Sequence, residues 1–136
     1  AARFKQRAEV MVRQFDAYEP LPGIHINGEA TLGENIADFG GLVIGLDAFR
    51  KTAQYRAGLK IAGLTPEQRY FLGYALGWLY EDRSERLRKE LLSDVHSPPK
   101  WRVNGPLSNI PAFYDAFKVK PGQPMYRPAA DRVRIW

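Results

Sequence analysis

The chain has 136 residues, 45% of them hydrophobic, with 20 Lys and Arg against 15 Asp and Glu for a net charge of +5, and it contains no cysteine. That length suffices for one domain with its own core, the lack of thiols excludes a disulfide framework within the chain, and no run of about eighteen apolar residues offers a membrane span. The charge does not point to nucleic acid, because basic and acidic residues interleave, as in Glu81-Asp82-Arg83-Ser84-Glu85-Arg86, the pattern of a solvated helix face.

In chain order, Phe4, Ala8, Met11, Val12 and Phe15 recur at helical spacing and predict an amphipathic helix over about 2–18. Pro20-Leu21-Pro22-Gly23 ends it. Ile24 to Asn27 alternates apolar and polar residues and reads as a short extended segment. Ile36, Phe39, Leu42, Val43, Leu46, Phe49 and Ala53 predict a long helix over about 34–57. Gly40, Gly41 and Gly45 each weaken that helix by roughly 0.5–1 kcal/mol relative to alanine, so close packing against another helix is expected there.

Thr65-Pro66-Glu67-Gln68 is a helix start, with Thr65 as N-cap, proline in the first turn and Gln68 closing a capping box. The helix that follows is apolar on nearly every side through Phe71, Leu72, Tyr74, Ala75, Leu76, Trp78 and Leu79, which predicts burial; its second apolar side suits either core packing or a substrate cleft. A polar helix from near Ser84 to Leu92 is stopped by Ser97-Pro98-Pro99. Ser108-Asn109 is expected to cap a last helix carrying Ile110, Phe113, Tyr114 and Phe117, and beyond Lys118 the prolines and glycines of residues 121–128 predict an extended tail. The fold class is all-α, with short extended segments and an irregular C-terminal tail.

Within this frame Gly33-Glu34-Asn35-Ile36-Ala37-Asp38-Phe39-Gly40-Gly41 puts two carboxylates one turn apart on one helix face. One could ligate a metal and the other orient a neighbouring imidazole; the same spacing also describes a solvated face. The longer stretch from Asn27-Gly28-Glu29-Ala30-Thr31-Leu32 through Asp38 resembles the third-ligand segment of the neprilysin family of zinc metallopeptidases, which includes the endothelin-converting enzymes. Ser93-Asp94-Val95-His96-Ser97-Pro98 with Trp101-Arg102-Val103-Asn104-Gly105 is similar to that family's second active-site segment. Ala116-Phe117 and Arg134-Ile135-Trp136 resemble its carboxyl terminus, and Phe4-Lys5-Gln6 through Val10-Met11-Val12 is similar to the segment between its two zinc motifs.

The resemblance implies that residues 1–136 are a single helical unit, the C-terminal portion of a metallopeptidase catalytic domain. The His-Glu-x-x-His helix that supplies two ligands and the general base would lie upstream, since the only histidines are His25 and His96. It further implies Glu34 as zinc ligand, Asp38 as acceptor for a ligating histidine, and His96, oriented by Asp94, as donor to the oxyanion of the tetrahedral intermediate. Arg102 would bind a substrate carbonyl. Trp78 would line the pocket for the side chain after the cleaved bond, with Gly77 where neprilysin has a bulkier aliphatic residue. By their residues alone, His96 reads equally as a helix-end cap and Arg102 as a surface arginine.

The expected activity is zinc-dependent endopeptidase cleavage of oligopeptides by the whole enzyme, with this chain alone inactive and both acids solvent-exposed in it. The expected cofactor is one zinc ion, bound weakly or not at all by the chain alone. The expected partners are peptide substrates and the remaining N-terminal part of the same enzyme, without nucleic acid or membrane contact from this segment, in an extracytoplasmic (periplasmic or secreted) setting. A noncatalytic helical interaction module is the competing reading. Val10, Leu79, Val119 and Val133 stand where eukaryotic relatives have structural cysteines, those aligned with Val10 and Val133 being bonded to each other. Hydrophobic packing is expected at these places, as in a bacterial member, with Val10 touching Val133 and with Ile135 and Trp136 buried nearby.

Overall fold

The computed structural model describes residues 2–135. Its helices are α1 (Ala2–Asp16), α2 (Leu32–Arg50), α3 (Ala53–Arg56), α4 (Pro66–Leu76), α5 (Ser84–Ser93), α6 (Pro99–Leu107) and α7 (Pro111–Phe117), followed by a 3-10 turn at Ala129–Asp131. The protein is all-α. Two isolated bridges, Leu21 with Ile24 and Ile61 with Leu64, are the β pairing among the described residues. The stretch expected to be extended therefore forms no strand; Ile26 instead turns its N–H to the Tyr18 carbonyl at 3.1 Å.

The core follows helical periodicity. Ala8, Met11 and Phe15 of α1 and Phe39, Leu42 and Leu46 of α2 are buried together with Phe71, Leu107, Ile110, Phe113 and Val133. Helix α2 packs on α1 and α6, and α4 packs on α7, where Phe71 meets Phe113 edge to face at 5.6 Å between centroids, a favoured aromatic geometry. The capping box forms as expected, Thr65 Oγ1 accepting from Gln68 N and Gln68 Oε1 from Thr65 N.

Four expectations about elements need correction. The helix expected over 34–57 breaks at Lys51-Thr52, because Thr52 accepts from Tyr55 N and caps a separate short α3. Close packing explains Gly45, where a Cβ would lie 2.5 Å from Tyr70 Oη, but not Gly41, where it would meet nothing within 4 Å. Helix α4 is only half buried: Leu72, Leu76 and, beyond its end, Leu79 are 38%, 67% and 81% exposed, since no described element packs on that side. The site at Leu79 is accordingly not packed hydrophobically. Ser108 and Asn109 do not cap α7, whose N-cap position is Ile110 and carries no side-chain hydrogen bond; both are buried and bonded elsewhere.

Their partners close the molecule. Gln14 Nε2 donates to the Gly105 carbonyl at 2.9 Å and to Ser108 Oγ at 3.0 Å, while Asn109 Nδ2 donates to Gln14 Oε1 at 2.9 Å. Asn109 Oδ1 accepts from Val133 N at 2.9 Å. The tail, irregular as expected, is thereby pinned, and Arg7 adds a bond to the Ile135 carbonyl at 3.0 Å. Val10 and Ile135 pack on the cluster that contains Val133. The expected burial of Trp136 lies outside the described residues.

Candidate active site

Glu34 and Asp38 occupy the first two turns of α2, and α6 crosses that helix. Arg102, on α6, meets them both. Its Nε donates to Asp38 Oδ2 at 2.7 Å and its Nη2 to Asp38 Oδ1 at 2.8 Å, a bidentate pair, and Nη2 also reaches Glu34 Oε2 at 3.4 Å. The Asp38 hydrogen bond raises the guanidinium's pKa above the ordinary arginine value against the opposing effect of desolvation. Below the guanidinium lies Trp78, its ring centroid 4.0 Å from Arg102 Cζ, which favours a cation by its quadrupole.

His96 stands in the turn between α5 and α6. Its Nδ1 lies 2.6 Å from Asp94 Oδ1, which also takes the His96 backbone N–H at 3.0 Å. These bonds pull the Asp94 carboxyl below its usual pKa, the side-chain bond foremost. The other ring nitrogen, Nε2, is 3.8 Å from Glu34 Oε2. Glu34, Asp38, Asp94, His96, Arg102 and Trp78 thus form one contiguous group. Glu34 and His96 keep 42% and 47% of their side chains exposed, so the group opens to one face of the molecule. Asp38 departs from the expectation of an exposed acid: its side chain is 10% exposed, because Arg102 covers both oxygens.

Two polar residues that sequence reasoning did not assign hold the halves in register. Ser97 Oγ donates to Asn35 Oδ1 at 2.8 Å and Asn35 Nδ2 donates to Thr31 Oγ1 at 2.9 Å, all buried. Asn35 follows Glu34 and Ser97 follows His96, so this bond fixes the two segments that carry the ionisable groups. The signal in the sequence is a polar residue on the inward face of an apolar helix.

Catalytic zinc takes three protein ligands and an open position. Glu34 suits one of those places. Among the described residues no group of three or more His, Cys, Asp or Glu is arranged to hold a metal ion, so these residues do not by themselves complete a zinc site.

The comparisons with known proteins agree with one another. The family model described as "Peptidase family M13" matches residues 1–133. Endothelin-converting enzyme 1 of Mus musculus is 41% identical over 125 residues, covering 90% of this chain and 16% of that protein. Neprilysin-3 of Drosophila melanogaster is 36% identical over 138 residues, 98% of this chain and 17% of that protein. Among solved structures, the Mycobacterium tuberculosis zinc metalloprotease in its open state superposes with a TM-score of 0.88 at 36% identity, covering 99% of this chain and 22% of that one. The chain therefore spans between about a sixth and a quarter of the proteins it matches.

Proposed function

Because the chain belongs to peptidase family M13, we propose that it is the C-terminal portion of the catalytic domain of a zinc metalloendopeptidase that hydrolyses peptide bonds of oligopeptides. The observation that carries this reading is the convergence on one open face of Glu34, the Asp38–Arg102 pair, the Asp94–His96 pair and Trp78. A solvated helix face would not place a bidentate arginine and a carboxylate-held imidazole against the same two acids.

Glu34 would hold the zinc ion as third ligand, the other two and the general base coming from a His-Glu-x-x-His helix outside these residues. Zinc, when bound, supplies Lewis-acid polarisation of the scissile carbonyl. Asp38 keeps lone pairs beyond those given to Arg102, since an ionised carboxylate has about four acceptor sites, and uses one to orient a ligating histidine from that helix. Asp94 holds His96 at Nδ1, which aims Nε2 toward Glu34 and makes it the nitrogen that donates to the oxyanion in the transition state. Arg102, fixed through Nε and Nη2, has Nη1 left to take a peptide carbonyl, and Trp78 supports it from below.

The exposed apolar side of α4 and the loop after it, with Leu76, Leu79 and Tyr80, is where the N-terminal remainder of the enzyme packs. No helix of the described residues is long and apolar enough to cross a membrane. The enzyme works outside the cytoplasm, in the periplasm or secreted, a reading that the membership of the M13 family supports.

The test is to assay the full-length enzyme and the isolated 136-residue chain side by side. Full-length enzyme should contain about one zinc and cleave oligopeptides; Glu34→Gln should lose the metal and the activity together, and the isolated chain should bind zinc weakly by calorimetry and cleave nothing. Peptide turnover by the pure chain, or full zinc occupancy in Glu34→Gln, would overturn the assignment.

A further inference from the structure

Arg102 and Pro106 stand four residues apart inside α6. In an α-helix the carbonyl of one residue receives the N–H of the residue four further on. Proline has no N–H to give, and its ring crowds that same carbonyl. The carbonyl left without its helix partner is that of Arg102, the side chain assigned above to substrate.

The missing donor comes from a different helix. Tyr74, on α4, donates its phenolic O–H to the Arg102 carbonyl at 3.0 Å. Burial, and next the charge of Asp38, raise the pKa of this phenol well above the ordinary tyrosine value, so the proton stays on the oxygen. One turn on, Trp78 carries the Arg102 guanidinium on its face at 4.0 Å, with its ring 6.4 Å from that of Tyr74. Helix α4 and the turn that follows it therefore hold Arg102 at both ends, main chain and side chain.

We propose that Tyr74 is a positioning residue for Arg102: its hydroxyl replaces the helix hydrogen bond that Pro106 cannot supply, and so sets where the guanidinium meets a substrate carbonyl. The proposal rests on the reading of Arg102 as a substrate-binding residue. It makes Tyr74 and Pro106 a functional pair across two helices. A phenylalanine at 74 suits a chain with an N–H at 106, and a tyrosine suits a chain with proline there.

Four forms of the full-length, zinc-loaded enzyme test this: wild type, Tyr74→Phe, Pro106→Ala and the double variant. Tyr74→Phe removes one oxygen and keeps the ring. KM for an oligopeptide should rise about threefold to tenfold, the factor that one such hydrogen bond gives, with kcat within about twofold, as expected for an interaction made equally in ground and transition states. In the Pro106→Ala background the N–H at 106 takes the carbonyl back, so adding Tyr74→Phe should raise KM less than about twofold, a non-additive pair.

An equal KM effect in both backgrounds, or none beside Pro106, would overturn the proposal. Should Tyr74→Phe fail to fold, recovery of folding and KM by the added Pro106→Ala supports it, and failure of both forms overturns it. Arg102→Ala with unchanged KM and kcat would remove the underlying reading of Arg102 instead, whatever Tyr74 does.

Discussion

Ser97 shows how one hydroxyl can carry a site it never touches. Its bond to Asn35 is buried and joins the residue after His96 to the residue after Glu34. Ser97→Ala leaves Asn35 Oδ1 without its donor in an enclosed place, which costs about 1–3 kcal/mol. In the full-length enzyme, kcat/KM should fall with the melting temperature, and a stability loss with unchanged kinetics would show that the bond holds the fold alone. Asp94 gives a pH-dependent case. Its folded pKa is depressed by His96, so its contribution is present above the ordinary aspartate range, about 3.9, and is lost as pH falls through the lower folded value. Wild type should therefore lose its stability margin over Asp94→Asn as pH falls below about 4, as read by melting temperature against pH.

At the scale of elements, two glycines predict opposite outcomes. A Cβ on Gly105 would lie 2.5 Å from Phe15 Cζ, inside the α1–α6 approach and against a fully buried ring. Gly105→Ala should cost about 1–3 kcal/mol. Gly41 faces open space in the middle of α2, and alanine there should stabilise by about 0.4–1 kcal/mol. Urea titrations of the two variants check both signs. The same contrast shows what the sequence could tell: Gly40, Gly41 and Gly45 read alike, and only the position of Tyr70 separates Gly45 from Gly41. Helices α1 and α4 were legible because the first has a clean apolar period and the second a capping box that acts within four residues. Helix α6 was not expected at all. Pro98 and Pro99 read as breakers, yet proline is favoured at a helix's first position, and that is where Pro99 sits. The misjudged cap at Ser108-Asn109 has a tertiary cause, since Gln14 and Val133 claim those side chains from distant parts of the chain. The Glu34 segment and the Asp94–His96 segment were each readable as motifs. Their meeting, and the closure of Arg102 over Asp38, depends on the α2–α6 crossing, which no local pattern reveals.

At the scale of the whole molecule, large apolar side chains stay exposed on several elements, among them Ile44 on α2 and Leu59 and Ile61 after α3. Leu72, Leu76, Leu79 and Tyr80 lie along α4 and the loop after it, and Leu92 and Val95 at the end of α5 are 76% and 55% exposed. Apolar patches of this sort mark interfaces or association-prone surfaces. The isolated chain should bind a hydrophobic dye and self-associate, as seen by light scattering, and Leu76→Ser with Leu79→Ser should suppress both. In the full-length enzyme the same two substitutions should destabilise, as follows from the proposed packing of the N-terminal remainder on this patch. Equal dye binding by the isolated chain and by the full-length enzyme would count against that.

The bond network that ends on Val133 bears on how the protein is made. Gln14 waits for Asn109, 95 positions on, and Asn109 for Val133, 24 positions further. At a synthesis rate of about 5–20 residues per second, the amide of Gln14 spends roughly 5–19 s without Asn109. Over most of that interval Phe15 also lacks the cover that Gly105 gives it. Helix α1 is thus an early product that only a late one can complete, and a ribosome that pauses after Asn109 would hold out an open core to whatever chaperone is nearest.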